Sequence, residues 1–384
     1  MQVATGSYVK RSGWTLPLSH APHELDSDQT LVLVFGGSEY VDDPTPFEAL
    51  RRAFPRAQVL GCSSAGEISG ADIADGTLSV AVARFEHTRL ATCVAPALAN
   101  ESFAAGQALA QALAAPDLRG TLVLSDGLQV NGSDLVAGLN AVLPERVVVT
   151  GGLAGDGDRF KRTWVLDGGV PRSGVVTAVG FYGDRVRVGH GSKGGWDKFG
   201  PERVVTRSAG NVLWELDGKP ALALYKEYLG ERASGLPATG LLFPLAIRNN
   251  AQDARSLVRT ILAVDEASHT MTFAGDVPQG HLAQLMKANF ERLITGASDA
   301  ALMASTGKDA AGETLAIAIS CVGRRLVLGE RAEEELEATL AALPPRTSQV
   351  GFYSYGELSP YTTGRCDLHN QTMTLTLLRE ASAA

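Results

Sequence analysis

The chain has 384 residues, 45% apolar and 20% charged, enough for two or three ordinary domains around a large buried core. Its net charge of −8 argues against a phosphate backbone as partner, so nucleic acid is not expected. Four cysteines with no C-x-x-C pair make no disulfide framework, and no apolar run reaches the roughly 18–20 residues of a membrane helix.

The first residues lack a basic stretch leading into an apolar one, so no secretory leader is expected and a cytoplasmic protein is. An N-terminal segment, 1–25, carries His20 and His23, both expected at the surface. Leu31-Val32-Leu33-Val34-Phe35 predicts a buried strand running into the turn Gly36-Gly37-Ser38. A helix over 47–54 is stopped by Pro55, whose ring cannot continue it. A strand through Val59 and Leu60 then enters Gly61-Cys62-Ser63-Ser64-Ala65-Gly66-Glu67, and a strand leaves over 78–83.

The same order returns. Leu122-Val123-Leu124-Ser125 leads to Asp126-Gly127, a helix over 132–143 ends at Pro144, and Val147-Val148-Val149 enters Thr150-Gly151-Gly152-Leu153-Ala154-Gly155-Asp156, followed by strands at 175–182 and 186–188. Residues 220–301 predict a helix at 221–229, a hairpin of 256–264 with 270–273, and a helix at about 279–294. A third unit has a strand at 316–320, a helix at 333–343 ended by Pro344-Pro345, and the loop Gly351-Phe352-Tyr353-Ser354-Tyr355-Gly356-Glu357. Its last strand, 371–378, alternates Met373, Leu375 and Leu377 with threonines.

Aligned, Gly66-Glu67, Gly155-Asp156 and Gly356-Glu357 fall together. The expected fold is α/β, with mixed sheets flanked by helices, in two modules at 26–215 and 216–384. The first two units form a duplicated core, and the third pairs with 220–301 or interlocks with the other two. Glycines at a strand end admit a ligand to the backbone. Glu67, Asp156 and Glu357, with Asp126, are therefore expected to hold an ammonium group, and Ser63 and Ser64 a carboxylate, which together suit an amino acid. Tyr355 stacks on or caps the ligand in this reading, and His369 with Asn370 supplies hydrogen bonds.

Other chemistries fit less well. Gly152 to Gly157 imitates a dinucleotide loop, but residues 159–166 read as a strand where a helix must open. Ser64 has Cys62 rather than glycine two residues before it, so there is no nucleophile elbow. The histidines show no metal spacing. A metabolic enzyme remains the rival class.

Gly61 to Glu67, Ser125-Asp126-Gly127, Gly151 to Asp156, Gly210 to Ala221, Phe273 to Pro278, Gly351 to Ser359 and Leu368 to Thr374 resemble, in that order, motifs of the FIST family. The resemblance implies an N-terminal and a C-terminal FIST module that sense a small molecule such as an amino acid without catalysis. It also implies signalling through a separate histidine kinase or chemoreceptor-type partner. Some members are similar to haem proteins that sense nitric oxide. In that alternative His190, flanked by Gly189 and Gly191, is the axial ligand, because glycines leave room for a planar group.

Overall fold

A computed structural model describes residues 1–16, 22–97, 100–253, 255–305, 312–361 and 364–381. His20 and the side chain of His23 lie outside the described residues.

Each unit joins two parallel strands through a helix. These are Thr30–Gly36, Thr45–Ala53 and Gln58–Ser63 in the first unit. They are Leu118–Ser125, Gly132–Val142 and Val148–Leu153 in the second, and Thr314–Cys321, Ala332–Ala342 and Thr347–Ser354 in the third. The outgoing strands Leu78–Arg84, Val175–Tyr182 and Met373–Glu380 return antiparallel on the other side of the first strand. Beyond them lie the leading strands Gln2–Val9, Arg89–Pro96 and Val186–Lys193.

The third unit is thus a complete copy, and its leading strand lies before residue 215. The segment expected to pair with it forms an insertion. Strands between Asp197 and Lys287 make a separate sheet, on which helix Ala221–Leu229 packs around its own core. The helix expected at 279–294 is a strand, Leu282–Lys287, followed by helix Phe290–Ala304. Asn289 sets that start, its side chain accepting from the Arg292 amide.

The first strands are continuous apolar runs because both faces are covered. Leu31, Leu33 and Phe35, Leu122 and Leu124, and Leu315, Ile317 and Ile319 point into one central core where the three sheets meet. Phe35 stacks on Phe352 there, centroids 4.8 Å apart. Val32 and Val34 face outward onto Phe47, Leu50 and Trp164.

Register is fixed by one glycine per unit. Gly61, Gly151 and Gly351 pair with Val34, Val123 and Ala318 of the first strands. A Cβ on each would stand 2.2, 1.8 and 1.7 Å from the carbonyl oxygen of that same partner, so no side chain fits. Two residues past each of Ser63, Leu153 and Tyr353 the chains join in a closed ring of backbone hydrogen bonds. Gly155 donates to Ser63, Tyr355 to Leu153 and Ala65 to Tyr353, at 3.0, 3.0 and 2.8 Å. This ring corrects the sequence alignment by one residue: Gly66 and Gly356 correspond to Asp156, not to Gly155.

After the ring each unit gives a hairpin to a neighbour. Glu67–Ser69 with Asp72–Ala74 extends the third sheet, Val165–Asp167 with Val170–Arg172 the first, and Gly356–Pro360 with Cys366–His369 the second. In the second unit the hairpin begins only at Val165, so residues 156–164 form a longer loop.

Helix Val322–Leu328, after the third unit's first strand, is pinned from inside. Arg324 and Glu335 are fully buried and paired at 2.7 Å. Arg324 also donates to the Gly194 and Leu293 carbonyls, and Glu335 accepts from Ser320 and Tyr353.

Candidate functional site

Two hollows open at the hydrogen-bonded ring, one polar and one apolar. The polar cavity, about 260 Å³, lies between the first unit's glycine loop and the long loop of the second. Ser64, Glu67, Glu39 and Arg159 line it. Glu39 is carried by a 3-10 turn, Ser38–Asp42, that follows the first strand directly. Glu67 accepts from the amide and hydroxyl of Thr77, yet burial outweighs these bonds and pushes its carboxyl up to about 8. Arg159 is half exposed, donates to Ser38 Oγ, and has Asp156 4.0 Å away. Asp75 also lines it, held bidentate at 2.7 Å by Arg325, which donates to the Ala65 carbonyl as well.

The apolar cavity, about 1030 Å³, lies where the second unit's loops meet the insertion and helix Val322–Leu328. Leu153, Leu236, Leu241, Val322 and Tyr355 belong to its lining. Phe160 lies over Tyr355, ring centroids 4.5 Å apart and planes 14° from parallel. Phe160 has φ 50°, a left-handed conformation that costs a bulky residue about 1–2 kcal/mol. A groove of about 710 Å³ between helix Thr45–Ala53 and the strands at Gln58 and Thr92 is remote from the ring.

Of the residues expected from sequence to hold ligand, the structure brings Ser64 and Glu67 to the polar cavity and Tyr355 to the apolar one. The remaining acids are engaged by the protein itself. Asp126 accepts from the Leu128, Gln129 and Gly174 amides and from Thr163 Oγ1. Asp156 accepts from the Lys161 and Arg162 amides and from the Tyr355 hydroxyl. Glu357 is sealed with Ser354 and Thr372, and burial raises its carboxyl to about 8. The loop acids therefore do not meet in one pocket. Ser63 accepts from the Trp164 amide. His369 donates from Nε2 to the Ser359 carbonyl, and burial lowers it to about 4; Asn370 donates to the His369 carbonyl.

The room that the glycines beside His190 were expected to leave for a macrocycle is taken by the protein itself, while His190 Nδ1 is buried without a partner among the described residues. A Cβ on Gly189 or Gly191 would lie 2.1 or 2.0 Å from the carbonyls of Ala304 and Ala300. Those glycines admit helix Phe290–Ala304, and His190 points to the other face of its strand. Among the described residues no group of His, Cys, Asp and Glu is arranged to hold a metal ion, and no helix is long and apolar enough to cross a membrane. Cys62, Cys321 and Cys366 are buried free thiols.

The sequence reading missed Glu39, Arg159 and Phe160. A signal existed: aligned on Gly61, Gly151 and Gly351, the second unit takes the most residues to reach its outgoing strand, and Arg159 and Phe160 lie among the extra ones.

Compared with known families, residues 30–219 match the FIST N domain and residues 221–360 the FIST C domain. No curated protein matches the chain.

Proposed function

The chain belongs to the FIST family, whose domains are associated with sensing and signal transduction, and from that premise we propose that it binds a free amino acid in the polar cavity. The observation that carries this reading is acidic groups set against a guanidinium in a small volume: Glu39, Asp75 and the protonated Glu67 with Arg159 around about 260 Å³. A cavity of that volume holds several waters, and so admits a small polar ligand. The ligand's ammonium faces Glu39 and Glu67, and its carboxylate takes the Arg159 guanidinium. The signal passes to a separate partner of the histidine-kinase or chemoreceptor type. Haem at His190, the alternative, loses the room its flanking glycines were expected to give, because helix Phe290–Ala304 packs there.

Calorimetry against the amino acids tests the reading. With Glu67 protonated near pH 7, an arriving ammonium favours the carboxylate, so binding releases a proton, read as a dependence of the heat on buffer ionisation. Arg159→Ala and Glu67→Gln weaken binding about tenfold or more. An amino-acid panel that gives no binding to the parent refutes the proposal.

A further inference from the structure

We propose that the apolar cavity is a second ligand site, for an uncharged aromatic molecule carrying one hydrogen-bonding group. Its volume, about 1030 Å³, is several times that of the polar cavity and at the top of the range for small-molecule sites. Leu128, Phe160, Leu262 and Leu326 are 38–49% exposed and all line this one cavity. They are four of the eleven large apolar side chains the described residues leave exposed, a concentration that water disfavours and an apolar guest relieves.

Two further features define the guest. Thr260, in the lining, is only 5% exposed, and its hydroxyl has no partner in the protein. A buried hydroxyl left so is costly, and a ligand's polar group satisfies it. The parallel pair Phe160 and Tyr355 offers a flat face to an aromatic ring. The lining's one ionisable acid, Asp158, is exposed, so nothing inside the cavity calls for a charged ligand.

The second site shares a wall with the first. Gly157 and Arg159 line the polar cavity while Asp158 and Phe160 line the apolar one. Helix Val322–Leu328 lines the apolar side with Val322, Gly323 and Leu326, and its Arg325 holds Ala65 and Asp75 of the polar lining. A guest against Phe160 and Leu326 thus bears on Arg159 and Arg325. This coupling rests on the amino-acid reading; the second site does not.

The test uses N-phenyl-1-naphthylamine, an uncharged aromatic probe with one N–H whose fluorescence rises in apolar surroundings. The full chain is expected to bind it saturably at one site. Leu326→Lys and Phe160→Ala, both at exposed positions, weaken binding about tenfold or more, and Thr260→Val by several-fold. Near-UV circular dichroism verifies that each variant is folded. Non-saturable binding, or folded Leu326→Lys and Phe160→Ala variants that bind as the parent does, overturns the proposal. Probe binding by a parent that binds no amino acid sinks the amino-acid reading and leaves the second site standing.

Discussion

Replacing Arg324 by methionine is expected to cost the protein about 3–5 kcal/mol, the usual penalty for breaking a fully buried ion pair from one side. The guanidinium gives Glu335 two bonds, from Nε at 3.0 Å and Nη2 at 2.7 Å, and it serves the carbonyls of Leu293 and Gly194. Methionine fills much of the volume but leaves a buried carboxylate with only Ser320 and Tyr353 to hold it. For 384 residues at about 2.1 cal/mol/K each, the entropy of unfolding is about 0.8 kcal/mol/K, so the midpoint falls by about 4–6 °C. Removing the charge from both sides in Arg324→Met/Glu335→Leu recovers most of that loss, because no charge is then left unpaired. Urea titration and scanning calorimetry of the parent, the single and the double variant decide the matter. A single variant within about 1 kcal/mol of the parent, or a double variant less stable than the single, refutes the reasoning.

Three more outcomes are expected. Glu357 has its carboxyl raised from 4.5 to about 8, so its contribution to stability is complete below pH 4.5 and is lost as pH rises through 8; Glu357→Gln therefore gains on the parent between pH 5 and 8 in melting temperature, and a constant difference across that range contradicts this. Gly351→Ala is expected to cost about 3 kcal/mol or more, against about 1 for Gly70→Ala, since the new Cβ meets the Ala318 carbonyl in the first and open space in the second; equal denaturation midpoints argue against the register glycine. In protein from haem-supplied cells, His190→Ala is expected to leave the absorbance spectrum of the parent unaltered, and loss of a Soret band in the variant restores His190 as a ligand.

The repeated unit was legible in the sequence because its first strands are buried on both faces and so appear as apolar runs, each closed by a helix and a proline. The glycines were legible too, although the acids beside them misled. Recurring letters placed Asp156 with Glu67 and Glu357, whereas the backbone ring puts Gly157 at that position. The insertion was misread where Leu282, Leu285 and Met286 precede Leu293 at spacings that suit a helix; Leu282–Lys287 is a strand because it pairs on both sides within its sheet. No local pattern discloses which sheet receives a hairpin, since that choice is made by strands far away in sequence. For the same reason Ser64 and Glu67 were visible as candidates while Glu39, Arg159 and Thr260 were not. Their roles come from the cavities they face.

The exchange of hairpins also governs how the chain is made. The hairpin at 67–74 leaves the ribosome early, yet the strand it pairs with, 347–354, is synthesised roughly 280 residues later. At about 5–20 residues per second the wait is of the order of 15–60 s. During that time the nascent chain carries an unpaired strand edge, and the second sheet lacks the hairpin at 356–369 that completes it. Loops this long make the final pairing slow, and exposed edges in the interval invite chaperones or aggregation. Synthesis of the last strands, through Glu380, and not the completion of the first family domain, is thus the moment at which this fold closes, and cutting it near residue 220 leaves two pieces that each lack strands held by the other.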